Sequence, residues 1–232
     1  MNIVITGASR GIGKAIAEMF AQNGHNLFLC SKSELPLYNT LQELLTKYPN
    51  VSITARPSDL SDGNQAAAFA NWVLETATPD VLVNNAGGFE PGSINNEPDG
   101  ILEKMLAINL FTAYNITRAL IPKMIAAKKG HVFTICSIAS LNAYPNGGAY
   151  SVSKYALHGF SANLREEMKP HNIKVTAVFP GAVLTDSWGD FDNSANRIMV
   201  ANDVARMIFS ASQLSPAACV EDIVLRPQLG DL

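Results

Sequence analysis

Charge is scarce in this chain of 232 residues and neither sign dominates: charged side chains make up 16% and the formal net charge is -3. That balance gives neither the basic footprint of a nucleic-acid binder nor a polybasic membrane surface. Cysteine is nearly missing, with Cys30, Cys136 and Cys219 far apart and odd in number. They form no disulfide framework. Cys30 and Cys136 also lie in apolar, strand-like runs, so reduced thiols in a cytoplasmic compartment are expected. Asn50-Val-Ser52 and Asn115-Ile-Thr117 match glycosylation sequons, which that compartment would make chance matches. His25, His131, His158 and His171 are scattered without metal-ligand spacing, so packing or surface roles are expected and no metal. No uninterrupted apolar run approaches the ~20 residues of a membrane span. Met1 to Ile5 already reads as a strand, so no signal peptide is expected.

What the chain does have is apolar residues, 47% of the total, arranged in alternating short runs and longer periodic segments. The strand candidates are Ile3 to Ile5, Asn26 to Cys30, Ser52 to Ala55, Val81 to Asn84, His131 to Cys136, Lys174 to Phe179 and Asp222 to Leu225. Helical periodicity lies between them. Ile12, Ile16, Met19 and Phe20 share one face of a helix stopped at Asn23-Gly24. Leu37, Leu41, Leu44, Leu45 and Tyr48 form a second face, closed by Pro49. A third helix starts after Ser61-Asp62 and buries Phe69, Trp72 and Val73. A long helix is expected over Ile101 to Lys128, bent near Pro122, and another over Ala149 to Lys169. Apolar runs buried on both faces and separated by helices predict an α/β fold, a parallel sheet wound on both sides. No linker divides the chain, so residues 1–232 are expected to form one domain. The irregular stretch 182–200 is its expected substrate lid, with Gly189 as hinge.

Thr6-Gly-Ala-Ser-Arg-Gly-Ile-Gly13 follows the first strand and opens the first helix. Gly7 permits the turn, Gly11 lets backbone approach a pyrophosphate, and Gly13 lets the helix pack close to the sheet. The unpaired N–H groups of a helix N-terminus suit phosphates. Further on, Tyr150 and Lys154 are one helical turn apart, and Ser137 lies in Ile135-Cys136-Ser137-Ile138. Spacing i, i+4 puts an ammonium beside a phenol. At ~4 Å and an effective dielectric of ~20, that cation is worth ~4 kcal/mol to the phenolate. The tyrosine pKa is then expected to fall by up to about three units, into the range of general acid–base chemistry.

Together these residues resemble the short-chain dehydrogenase/reductase family in its short, single-domain form. The motifs occur in the family's order over nearly the whole chain: Thr6 to Gly13, Asp59-Leu60, Asn84-Asn85-Ala86-Gly87, Asn109, Ser137, Tyr150 with Lys154, and Pro180-Gly181-Ala-Val-Leu-Thr185. The resemblance implies a Rossmann-like sheet of seven strands with a nicotinamide cofactor across the strand C-termini. It implies a catalytic set of Ser137, Tyr150, Lys154 and Asn109, with Asn109 holding a water that links Lys154 to solvent. The implied cofactor site adds Gly7, Ser9, Arg10, Gly11, Ile12, Gly13, Ser31, Lys32, Val183, Thr185 and Pro180-Gly181. In it Asp59 meets the adenine with Leu60 beside it, and Asn85, Ala86 and Gly87 line the ribose. Asn84 would tie the central strands together, and Tyr144 and Asn146 would reach the substrate pocket.

The expected activity is reversible hydride transfer between NADP(H) and a carbonyl or alcohol, with NAD(H) as a possible second cofactor. NADP(H) is favoured because Ser31 stands where NAD-selective members carry a carboxylate, and Lys32 and Arg10 flank it. A homotetramer or homodimer through the two long helices is implied, with His158 near that interface. A non-catalytic dinucleotide sensor is the alternative. Sensors usually lose the tyrosine or the lysine, and both are here.

Overall fold

The computed structural model describes residues 1–231. A strand enters the sheet and a helix leaves it, repeatedly: β1 (Asn2–Thr6), α1 (Gly11–Gln22), β2 (Asn26–Ser31), α2 (Glu34–Lys47), β3 (Ile53–Pro57), α3 (Gly63–Leu74) and β4 (Val81–Asn84) form the first half. The second half runs α4 (Ile101–Leu106), a π-helical segment (Ala107–Phe111), α5 (Thr112–Ala127), β5 (Gly130–Ile135), α6 (Gly148–Met168) and β6 (Ile173–Pro180). It closes with β7 (Val183–Leu184), β8 (Met199–Val200), α7 (Ala201–Ser212) and β9 (Asp222–Leu225). Seven strands form one parallel sheet in the order β3-β2-β1-β4-β5-β6-β9. Strand order reverses between β1 and β4, the switch point at which open α/β sheets hold ligands beyond their strand C-termini.

Both faces of the sheet are covered, which explains why its strands read as continuous apolar runs. On one face Ile16 and Phe20 of α1, Leu37 and Leu44 of α2, and Val204 and Ile208 of α7 pack on Ile3, Ile5 and Leu29. On the other, Phe69 and Val73 of α3, Ile116 and Leu120 of α5, and Leu164 of α6 cover Val4, Leu82 and Val132. Asp62 caps α3 by accepting from the backbone N–H groups of Asn64 (2.7 Å) and Gln65 (3.2 Å). The long helix expected over Ile101 to Lys128 is two α-helices joined by the π segment. Regular geometry breaks at Asn109, while α5 continues through Pro122. No helix among the described residues is long and apolar enough to cross a membrane.

The histidines are structural. His131 is buried, shares a 2.7 Å hydrogen bond with the Thr176 hydroxyl, and has its pKa pushed down to about 3 by burial. His158 is half-buried and lies edge-on to Phe179 of β6 at 4.9 Å between centroids. Cys30 and Cys136 are buried thiols, each pushed up to about 12 by desolvation.

Candidate active site

The glycine turn between β1 and α1 is locked to the end of β4 by side chains on both sides. The Thr6 hydroxyl accepts from the backbone N–H of Asn85 (3.0 Å) and of Ala86 (2.9 Å). The Asn85 amide donates back to the carbonyls of Thr6 and Gly7, each at 3.0 Å. Gly7 has φ +63°, and a Cβ there would lie 2.8 Å from the Ala86 Cα. A Cβ on Gly13 would collide with the Gly7 carbonyl, so this glycine is what lets α1 start against the turn. Asn85, and not Asn84, ties this junction together. The Asn84 amide instead donates to the Thr117 hydroxyl of α5 at 2.9 Å.

Around the turn lie the residues expected at a dinucleotide. Arg10 occupies the N-cap of α1 in extended conformation and its side chain reaches Asp186 at 3.6 Å. Ser31, at the end of β2, donates to the Ser9 hydroxyl at 3.1 Å, and Lys32 beside it pairs with Asp59 at 2.7 Å. Lys32 is the main cause holding the Asp59 carboxyl below its usual range, with the Ser61 hydroxyl helping. Both cations expected at a ribose phosphate are therefore engaged by carboxylates in the ligand-free chain.

The Leu60 side chain is buried among Val4, Phe28 and Cys30, in the core, which leaves its backbone to stand next to Asp59. Ile12 packs against the core from the first turn of α1. Gly181 donates its N–H to the Leu225 carbonyl at 2.7 Å, and a Cβ there would press on Pro227 and Asp231. Its small size accommodates the C-terminal tail. Pro180 ends β6, Val183 is buried, and Thr185 follows β7, its Cγ2 3.2 Å from a Cβ built on Gly11.

Ser137, Tyr150 and Lys154 converge past the end of β5. Ser137 caps a 3-10 turn (Ile138–Ser140), its hydroxyl accepting from Ala139 N at 3.1 Å while its own N–H donates to Ser140. It also hydrogen-bonds Tyr150, in the first turn of α6. Lys154 is buried and its Nζ donates to the Ile135 carbonyl at 3.0 Å. That leaves Nζ 5.9 Å from the Tyr150 ring centroid. The lowering of the Tyr150 pKa anticipated from i, i+4 spacing is not seen, and the shift runs the other way. Burial raises the Tyr150 pKa above its ordinary value, with the Ser137 hydrogen bond opposing. Burial also lowers Lys154 to about 8. Both groups are therefore protonated at neutrality.

Asn109, in the π segment, is fully buried, and its side chain is committed. Its Oδ1 accepts from Gly88 N at 2.8 Å, and its Nδ2 donates to the Gly88 carbonyl (3.1 Å) and to the Ser153 hydroxyl (2.9 Å). The amide clamps the loop at Gly88 to α6. Ser153 passes the connection on, donating to the Tyr150 carbonyl at 2.7 Å.

One participant, Glu97, was not among the expected site residues. Helix α6 starts after Gly147, which has no side chain to cap it, and Glu97 supplies the cap from 52 residues away. Its Oε1 accepts from Ala149 N at 2.9 Å, and Gly92 and Gly148 leave the space its carboxylate fills. Ser93 donates to the Asn146 side chain at 2.7 Å, and Gly92 N to the Asn146 carbonyl at 3.0 Å. Asn146 thus joins the loop after β4 to the start of α6, where a substrate contact had been anticipated. The paired glycines 147 and 148 at an uncapped helix start were the available signal.

The site fits a dinucleotide. The cradle at Gly7, Gly11 and Gly13 has no room for side chains. A Cβ on Gly87 would stand 2.9 Å from Asn109 Oδ1 and 3.6 Å from Lys154 Nζ, so this glycine lets the loop backbone lie close to a buried ammonium. Recesses of about 300 Å³ between α1 and α7 and about 240 Å³ near Lys174 contain none of these residues.

With fold and geometry in place, comparison with known proteins gives the class. The family model described as short chain dehydrogenase matches residues 1–196. The chain is 34% identical to dehydrogenase/reductase SDR family member 7B of Xenopus tropicalis over 90% of its own length and 73% of the relative's. It is 30% identical to sepiapterin reductase of Chlorobaculum tepidum, over 99% and 97% of the two chains. Among solved structures, the alcohol dehydrogenase of Thermococcus sibiricus complexed with 5-hydroxy-NADP superposes with a TM-score of 0.90 at 26% identity, covering 98% and 96%. A metagenomic short-chain oxidoreductase in complex with NADP reaches 0.85 at 31%, covering 98% and 97%. The chain belongs to the short-chain dehydrogenase/reductase family of oxidoreductases.

Proposed function

We propose that the protein is an NADP(H)-dependent reductase of ketones or aldehydes, reversible as an alcohol dehydrogenase, with Tyr150 as general acid and base. The observation that carries this reading is the Ser137–Tyr150 hydrogen bond with the buried Lys154 ammonium close by, packed beside Gly87. A bound NADPH supplies the hydride. Ser137 donates a hydrogen bond to the substrate carbonyl oxygen, and Tyr150 delivers the proton to the same atom. A phenol whose pKa is raised keeps that proton at neutral pH, as an acid in the reducing direction must. Lys154 has three N–H donors, one spent on Ile135. The other two hold ribose hydroxyls, and its charge stabilises the phenolate left after transfer. Asn109 contributes by fixing Gly88 and Ser153, and through them the backbone at Tyr150.

The cofactor reading rests on the end of β2. Ser31 and Ser9 present hydroxyls where a carboxylate would repel a 2′-phosphate, and Arg10 and Lys32 stand on either side. Their present ion pairs are exposed, each of a kind worth about 0–1 kcal/mol, and so are readily exchanged for a doubly charged phosphate. The NADP-bound relatives support the same choice. Asp59 and the backbone from Asn85 to Gly87 then face the adenosine, and Thr185 the carboxamide.

The segment 182–200, held at its base by the β7–β8 pairing and carrying the Trp188–Phe191 contact, is the lid over this site within a single domain. Faster hydrogen exchange there than in the central strands, slowed by NADPH, is the expected behaviour. Phe111, Tyr114, Val152 and Tyr155 are exposed on the π segment, α5 and α6, and form the contact of a homo-oligomer. A monomer at micromolar concentration in light scattering would remove that part. The reaction itself is tested by NADPH oxidation against a panel of ketones, aldehydes and oxoacyl thioesters. Tight NADPH binding with no turnover of any of them would favour a dinucleotide sensor.

A further inference from the structure

Phe89 is a large apolar side chain left 49% exposed at the acid of the proposed reaction. Its ring meets the Tyr150 ring edge-on, with centroids 4.8 Å apart and planes at 86°. The backbone fixes it from both sides. Asn109 holds both polar atoms of Gly88 immediately before it, and Glu90 immediately after it pairs with Lys104 of α4. A single exposed apolar residue on a surface needs no explanation. This one is anchored at both neighbours and laid against Tyr150. Leu141 and Tyr144, on the segment between Ser137 and Tyr150, are also partly exposed. Tyr144 is close enough to Tyr150 that the phenolate charge of one would raise the pKa of the other, after the larger effect of its own burial.

Charge around the site is one-sided. The segments 88–100, 137–149 and 182–200 carry Glu90, Glu97, Asp99, Asp186, Asp190 and Asp192, with Arg197 as their one Lys or Arg. The Arg197 guanidinium donates to the carbonyls of Gly230 (2.9 Å) and Asp231 (3.2 Å), so it is spent on the C-terminal tail. Glu90 and Asp186 are paired with Lys104 and Arg10, and Glu97 caps α6. The carboxylates left for an anionic substrate to meet are Asp99, Asp190 and Asp192, with the two neighbouring cations already engaged.

We infer that the substrate is an uncharged carbonyl compound with a ring-sized apolar substituent, and that Phe89 sets this specificity by packing against that substituent. The inference rests on the reductase reading above and narrows it. Acyl thioesters of anionic carriers and oxo-acids are disfavoured by the carboxylates, and small aliphatic ketones by having nothing to cover Phe89. Offset or edge-on aromatic contact adds to the burial of apolar area, and together they correspond to about tenfold or more in kcat/KM.

The test compares acetophenone, 4-acetylbenzoate, 2-butanone and acetoacetyl-coenzyme A with NADPH, using wild type, Phe89→Ala and Phe89→Leu. Binding of acetophenone is read separately by saturation-transfer NMR. Wild type is expected to favour acetophenone about tenfold or more over 2-butanone and over 4-acetylbenzoate. The penalty on 4-acetylbenzoate should shrink as salt screens the carboxylates. Phe89→Ala should lower the acetophenone to 2-butanone ratio about tenfold and weaken the NMR signal, with Phe89→Leu in between. Equal use of acetophenone, 2-butanone and 4-acetylbenzoate by wild type would overturn the specificity while leaving the reductase reading intact. So would an unchanged ratio in a folded Phe89→Ala or Phe89→Leu that binds NADPH. No turnover of any of the four, with NADPH bound, would overturn both.

Discussion

Replacing Lys154 with methionine should make the ligand-free protein more stable while removing its activity. The lysine is fully buried and burial holds its pKa at about 8, against 10.5 for the free side chain. At ~1.4 kcal/mol per pKa unit, the charged form is disfavoured in the folded state by about 3 kcal/mol near pH 7, where both folded and unfolded chains are protonated. Methionine removes that cost and fills similar space. It also forfeits the hydrogen bond to the Ile135 carbonyl, worth about 1 kcal/mol. The net gain is about 2 kcal/mol, or roughly 4–8 °C in Tm for a domain of this size. The pH dependence carries the same signature. Between about pH 8 and 10 the unfolded chain holds more protons at Lys154 than the folded one, so the Lys154 contribution to stability rises with pH through that window. The variant lacks this rise. The buried Cys30 and Cys136 thiols, common to both proteins, act the other way above about 9. Above about 10 the raised pKa of Tyr150 acts in the opposite direction. Urea titrations of the two ligand-free proteins at pH 7 and pH 9.5, by circular dichroism, give both quantities. A variant less stable than wild type at pH 7, or one whose advantage over wild type is as large at pH 9.5 as at pH 7, would refute the reasoning.

Other expectations are narrower. Glu97→Ala should cost about 1 kcal/mol by uncapping α6, seen as a lower urea midpoint, whereas Glu97→Gln keeps an acceptor for Ala149 N and should lose only part of that. Equal stability of Glu97→Ala and wild type would remove the cap from the account. Ser31→Asp should move cofactor preference toward NADH, and Arg10→Ala with Lys32→Ala should reduce a wild-type NADPH preference of about 10–100-fold, at ~1.4 kcal/mol per tenfold in kcat/KM. Wild-type preference for NADH would contradict the reading of the β2 end.

The sheet was legible in the sequence because parallel strands buried on both faces are plain apolar runs. Each of the seven expected strands lies within two residues of its observed bounds. The glycine turn and the serine, tyrosine and lysine set were legible because their spacing is local. What could not be read was burial depth and side-chain direction. Lys154 donates to a β5 carbonyl, and burial of the Tyr150 phenol sets its shift, opposite in sign to the one expected. That the Leu60 side chain lies in the core follows only once the sheet face it points to is known. Glu97 and Ala149 meet only once the loop after β4 folds against α6, a pairing no periodicity encodes. The two committed amide bonds of Asn109 to Gly88 are equally a product of the π segment's geometry.

The measurement closest to the central claim is turnover by Tyr150→Phe, which keeps the ring against Phe89 and removes the hydroxyl. The account predicts a folded variant that binds NADPH with wild-type affinity by fluorescence titration. Its NADPH-dependent ketone reduction should fall by about 10²–10⁴-fold, the usual contribution of a general acid. Ketone reduction near the wild-type rate in that variant would contradict it.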